Sequence, residues 1–158
     1  RSPAGVTLDI ASLAGIPPYD ETIYAEGFPP AVDQLRTAIG QADALLIATP
    51  EYNYSYSGVL KNAIDWASRP PEHPFNGKPV ALMGASAGAM GTARAQYHLR
   101  QVFVFLNAHI LNKPEVMIPG ASKVFDNEGN LTDESVRERI DALVASLVNW
   151  AGVVNPKA

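Results

Sequence analysis

Apolar residues in this chain follow two rhythms. Some short runs are apolar throughout, while longer stretches repeat an apolar residue every three or four positions. Ala44–Ala48 and Val80–Gly84 are of the first kind, the composition of strands covered on both faces. Ala108–Leu111 predicts a last strand, extended through Val116–Ile118, and the weak alternation of Val6–Ile10 predicts a first. The second rhythm appears in Ala31–Gln41, with Val32, Leu35, Ala38 and Ile39 on one face. It recurs after Ser57, a candidate cap, where Val59, Leu60, Ala63, Ile64 and Ala67 form an apolar face that ends at Arg69-Pro70-Pro71, because proline cannot continue the helical ladder. A long helix is expected from the glycine-rich turn Gly84–Gly91 to about Leu106. In the final helix Val136, Ile140, Leu143, Val144, Leu147 and Trp150 share a face, Thr132 is the expected cap, and Asp133 and Glu134 lie in the first turn, favourably toward the helix dipole. Trp66 and Trp150 keep these helical periods and are expected in the core. Ala14–Pro30 reads as a loop and Asp126–Asn130 as a polar turn.

Strands alternating with helices predict an α/β domain with a parallel sheet covered on both faces. At 158 residues, one domain over 1–158 is expected. An open sheet of this kind normally has five strands, and four are visible. The absent element is an N-terminal strand with its phosphate-binding turn and helix. Charged residues make up 18% of the chain, below the roughly 25% of an average soluble domain, which is compatible with surface buried between subunits. A net charge of −4 without a basic run argues against nucleic acid as a partner. No apolar segment approaches the roughly 18 residues of a membrane span. The absence of cysteine excludes disulfides, thiolate metal sites and cysteine nucleophiles, and makes a reducing cytoplasm the expected location.

The chemistry-bearing residues gather after two of the predicted strands. Thr49–Trp66 (TPEYNYSYSGVLKNAIDW) places three tyrosines, Glu51 and Asn53 in a loop at a strand's carboxyl end, the edge at which open α/β sheets bind ligands. Aromatic faces with backbone N–H groups suit a flat heteroaromatic ligand better than a metal or a sugar. Gly84–Gly91 (GASAGAMG) has two functional readings. Its G-x-S-x-G pattern fits the nucleophile elbow of serine hydrolases. However, no Asp or Glu separates Ser86 from His109, and His98 lies on the order of 18 Å along the helix that Ser86 introduces. The alternative is a backbone cradle, in which glycines allow close approach and the helix N-terminus offers free N–H groups to an electron-rich edge. A tight turn with nothing bound is the plain structural reading.

Other polar residues carry weaker signals. Glu51 is either a functional carboxylate at the crevice mouth or an exposed loop charge. His73, His98 and His109 lack metal-ligand spacing. Arg94, Tyr97, His98, Arg100 and Gln101 lie along one helix and mark a subunit contact, a side of ligand access (the nicotinamide side, under the family resemblance given below) or a solvated face. Asn62 is placed to brace the tyrosine loop, and Tyr19 and Tyr24 to reach the same site from a neighbouring subunit.

Taken together, TPEYNYSYSGVLKNAIDWASRP at Thr49–Pro70 and GKPVALMGASAGAMGTARAQYHLRQV at Gly77–Val102 resemble the NADPH-dependent FMN reductase family, which includes bacterial quinone, chromate and azo-dye reductases. Weaker agreement extends to LNKPEVMI at Leu111–Ile118. The resemblance implies a flavodoxin-like three-layer α/β/α sandwich and non-covalent FMN. Pro50, Glu51, Tyr52, Asn53 and Tyr54 would flank the isoalloxazine, and Ser86, Gly88 and Gly91 would hold its pyrimidine side. It implies hydride transfer from NAD(P)H to the flavin and then to a quinone-like acceptor, with no protein acid or base in the hydride step, and a homodimer or homotetramer. A non-catalytic FMN carrier is the alternative. The family begins with a strand and a phosphate loop near G-S-L-R-x-x-S. The first strand and phosphate loop are missing here, with Arg1-Ser2 as a candidate remnant, so the domain is expected to be N-terminally incomplete.

Overall fold

The computed structural model describes residues 3–156, so Arg1-Ser2, the candidate loop remnant, lies outside the described residues. The elements run α1 (Glu21–Ala25), α2 (Pro30–Gln41), β1 (Leu45–Ala48), α3 (Gly58–Ala67), β2 (Pro79–Ala85), α4 (Ala93–Phe105), β3 (His109–Ile110), β4 (Val116–Ile118), a 3-10 turn (Ala121–Lys123) and α5 (Glu134–Val154). β2 is the hub of a parallel sheet. β1 pairs along one edge of it, Leu45 opposite Val80 through Ala48 opposite Met83. β3 and β4 share the other edge, at Pro79–Val80 and at Met83–Ala85. They are two pieces of the expected last strand, interrupted by a segment containing Pro114, which has no N–H to donate.

Side-chain alternation along β2 separates the layers. Val80 and Leu82 join Leu35 and Ile39 of α2, Ala63 and Ile64 of α3, and Leu99 and Phe103 of α4. Ala81 faces the opposite layer, where Val136, Leu143 and Leu147 of α5 pack with Val116 and Ile118. The result is the three-layer, flavodoxin-like α/β/α arrangement.

Several boundaries depart from expectation. Val6–Ile10 forms no strand, and Ile10 is 95% exposed. With no neighbouring strand, its backbone has no ladder to join. β1 is accordingly half-buried rather than buried, because its outer edge has no partner among the described residues. Val59, expected on the apolar face of α3, is exposed, while Trp66 is fully buried. Trp150 is only part-buried and donates to the carbonyl of His109. Asp133, not Thr132, caps α5, accepting from the N–H of Val136 at 3.0 Å. Thr132 Oγ1 instead donates to the carbonyl of Val124.

Two polar anchors tie loops to the helical layer. Asn62 and Trp66 hold the proline-rich segment before α1. The Asn62 amide accepts from Tyr19 N and donates to Pro17 O, while Trp66 Nε1 donates to the same carbonyl. Asn62 therefore braces this loop and not the tyrosine loop, and Tyr19 and Tyr24 pack against Trp66. The second anchor is Arg36, a buried guanidinium on α2. It donates to Ala67 O and Arg69 O at 2.7 Å each, pairs with Glu72, and lies 4.0 Å from the centre of the Phe28 ring. A cation there satisfies carbonyls left open at the C-terminus of α3. Arg36→Met keeps the stem and removes the donors. It is expected to destabilise the fold by about 2–3 kcal/mol, read as a lower urea midpoint with an unchanged slope.

Candidate functional site

The carboxyl ends of β1 and β2 lie side by side because Gly84 has no side chain. A Cβ there would come within 2.2 Å of Thr49 O and 2.5 Å of Thr92 Oγ1. The loop after β1 and the turn after β2 therefore emerge next to each other at one edge of the sheet. Two surface hollows, one beside α2 and one lined by Phe75 and Phe105, include no residue of either loop.

The loop after β1 is a tight hairpin. Tyr52 and Ser55 exchange both backbone hydrogen bonds, at 2.8 and 3.0 Å, and Asn53 and Tyr54 between them have φ of 49° and 69°. Positive φ at both central positions is the type I′ pattern, in which the second residue is normally glycine. Both Tyr52 and Tyr54 are largely exposed.

Glu51 behaves as neither sequence reading anticipated. Its side chain is 6% exposed. The carboxylate accepts from the N–H groups of Arg94 and Ala95 at 3.1 and 3.2 Å, and from Arg94 Nε at 2.6 Å, within an ion pair. Thr92, the local candidate for capping α4, makes no cap hydrogen bond; its hydroxyl accepts from Gln96 Nε2. A glutamate from a distant loop thus caps α4, where a carboxylate also complements the helix dipole. Burial alone would push the Glu51 carboxyl up, but the Ala95 N–H and the Arg94 guanidinium and N–H outweigh it and hold the carboxyl below the usual glutamate range. Arg94 also lies over the Tyr54 ring, 3.7 Å from its centre. The sequence placed Arg94 on a helix face but missed this role, as the partner of Glu51. Nothing local signals its partnership, because the spacing to Glu51 is 43 residues.

The turn after β2 divides its three glycines. Gly84 and Gly91 are packing residues: a Cβ on Gly91, at φ +53°, would lie 2.7–2.8 Å from the backbone of Ile118 and Pro119. Gly91 is thus committed to the end of β4 and is not an open wall of a cradle. A Cβ on Gly88 would meet nothing within 4 Å, and Ala87, Gly88 and Ala89 are exposed. None of these three donates a backbone hydrogen bond among the described residues. Ser86 N donates to Ile118 O, and among the described residues Ser86 Oγ meets only Gly88 O, at 3.5 Å. His98 lies instead beside Ser55, Nδ1 to Oγ 3.2 Å, so no triad assembles on Ser86. No described group of three or more His, Asp or Glu is placed to hold a metal.

The edge therefore combines exposed aromatic rings, free turn N–H groups and an open glycine. These fit a planar heteroaromatic ring with an electron-rich border. Among the described residues, Arg94 at this edge is already committed to Glu51.

The stability contribution of Glu51 has a definite sign. A carboxyl whose folded-state pKa is depressed stabilises above its unfolded pKa, and that contribution is lost as pH falls through the folded value. Wild-type protein is expected to lose thermal stability steeply as pH drops below the ordinary glutamate range. Glu51→Gln, less stable at neutral pH, should show a shallower acid limb in melting scans.

Comparison with known proteins places these features. Residues 2–123 match the NADPH-dependent FMN reductase family model. An NAD(P)H-dependent FMN reductase of Pseudomonas aeruginosa is 62% identical over 148 residues, covering 94% of this chain and 80% of that protein. A quinone reductase of Escherichia coli is 52% identical over 118 residues, covering 73% of this chain and 63% of that protein. Among solved structures, the flavoenzyme NAD(P)H:(acceptor) oxidoreductase FerB of Paracoccus denitrificans superposes with a TM-score of 0.79 at 34% identity, over 89% of this chain and 78% of that one.

Proposed function

Because this chain belongs to the NADPH-dependent FMN reductase family, we propose that it is an FMN-dependent NAD(P)H oxidoreductase that reduces small quinone-like acceptors at the joined ends of β1 and β2. The observation that carries this reading is the open Gly88 turn with its free N–H groups, set beside a loop of exposed tyrosines. When bound, FMN supplies the chemistry, accepting hydride from NAD(P)H and reducing a second substrate. The chain's own task is positioning. Backbone at Pro50–Tyr54 would flank the ring, and the N–H groups from Ala87 to Ala89, with Ser86 and the open Gly88, would hold its electron-rich border. Glu51 contributes through its main chain and through the cap that fixes the loop, since its carboxylate is occupied by Arg94.

No described helix is long and apolar enough to cross a membrane, and the cysteine-free composition supports a cytoplasmic location. Exposed Tyr97, Val104 and Phe105 on α4 support a homodimer or homotetramer. We also infer that β1 is an inner strand of a larger single domain. Leu45, Leu46 and Ile47 are only half-buried and the outer edge of β1 has no partner among the described residues, an open row of N–H and C=O groups that a further strand would pair. The intact protein is then expected to weigh more than the 16.9 kDa of these residues, and mass spectrometry checks it.

The purified protein is expected to take up FMN and to bleach near about 450 nm on anaerobic addition of NADPH. Uptake without bleaching would make it a carrier. Gly88→Val, which the fold has room for, should melt within about 2 °C of wild type while weakening FMN binding at least tenfold, an order-of-magnitude loss for an obstructed ligand contact.

A further inference from the structure

Resting on the acceptor-reducing reading of this site, we propose that Tyr54 selects the acceptor: its ring is a platform for planar quinoid substrates, held in place by the Glu51–Arg94 pair. Tyr54 occupies the turn position that ordinarily belongs to glycine, at φ 69°. A bulky residue at positive φ is uncommon, and it persists only where the surroundings impose it. Burial is not the compensation, since the residue is 67% exposed. What holds it is Arg94, whose guanidinium carbon stands 3.7 Å from the ring centre. Arg94 in turn is fixed by the buried Glu51 carboxylate. One ring face thus rests on a cation while much of the side chain remains open to solvent.

An electron-rich phenol ring, immobilised at a sheet edge, suits stacking by an electron-poor flat molecule such as a quinone. It offers nothing comparable to an octahedral metal complex. The neighbouring Tyr52 is also exposed, but its φ is unstrained and no cation lies over its ring among the described residues. The strained conformation and the clamp single out Tyr54.

The test uses the FMN-loaded protein and the variants Tyr54→Gly and Tyr54→Phe. Glycine relieves the strained φ, so Tyr54→Gly is expected to melt no lower than wild type. Its KM for a naphthoquinone should nevertheless rise about fivefold to tenfold, the magnitude of one lost ring contact, with a clearly smaller change for hexacyanoferrate(III). Tyr54→Phe should bring the quinone KM back toward the wild-type value. FMN affinity, followed by fluorescence quenching, is measured in parallel. The proposal is overturned if Tyr54→Gly melts several degrees lower. It is equally overturned if the KM values for the flat and the octahedral acceptor move together. A wild-type protein that takes up no FMN would instead defeat the functional reading itself, and that result needs no variant.

Discussion

The absence of a Cβ at Gly84 is the constraint on which the site rests. With any side chain there, the end of β2 would collide with the Thr49 carbonyl and the Thr92 side chain. The strand ends would separate, and the tyrosine loop would part from the glycine turn. Close packing leaves no slack for such a change. Gly91 makes a similar contact on the far side of the turn, against the end of β4. Two of the three glycines therefore bring backbone to backbone, and this is what leaves the third, Gly88, free to face outward.

Electrostatics then locks the two loops together. The N-terminus of α4 has no local side-chain cap, and its donors are met by Glu51 from the loop after β1. One carboxylate thereby caps a helix, pairs with Arg94 and ties the first loop to the second. Removing Arg94 would leave the buried Glu51 carboxylate without its countercharge. Tyr54 depends on the same clamp through Arg94. Strand end, helix cap and strained aromatic form one connected unit.

Much of this was legible in the residues. The apolar runs at Ala44–Ala48 and Val80–Gly84 located the sheet, the 3.6-residue periods located α2, α3 and α5, and Ser57 was recognisable as a cap that accepts from Leu60 N. The two loops were recognisable as one crevice because adjacent parallel strands end at the same edge. Local pattern failed where a tertiary contact overrode it. Val6–Ile10 alternates like a strand but has no partner to pair with. Thr132 had the composition of a cap, yet its hydroxyl is taken by Val124. Asn62 lay next to the tyrosine loop in sequence, but its side chain reaches Pro17 and Tyr19.

The amino-acid sequence alone determined the layered α/β architecture, the edge at which the tyrosine loop and the glycine turn emerge and the aromatic and glycine-rich character of that edge, because periodicity and turn chemistry are local properties of the chain. Only the tertiary structure decided that Glu51 turns inward to cap α4, that Gly91 packs while Gly88 stays open, and that Tyr54 is held in a strained conformation beneath Arg94. These outcomes depend on groups tens of residues apart meeting at a few ångströms, and no pattern within a short window of sequence carries that information.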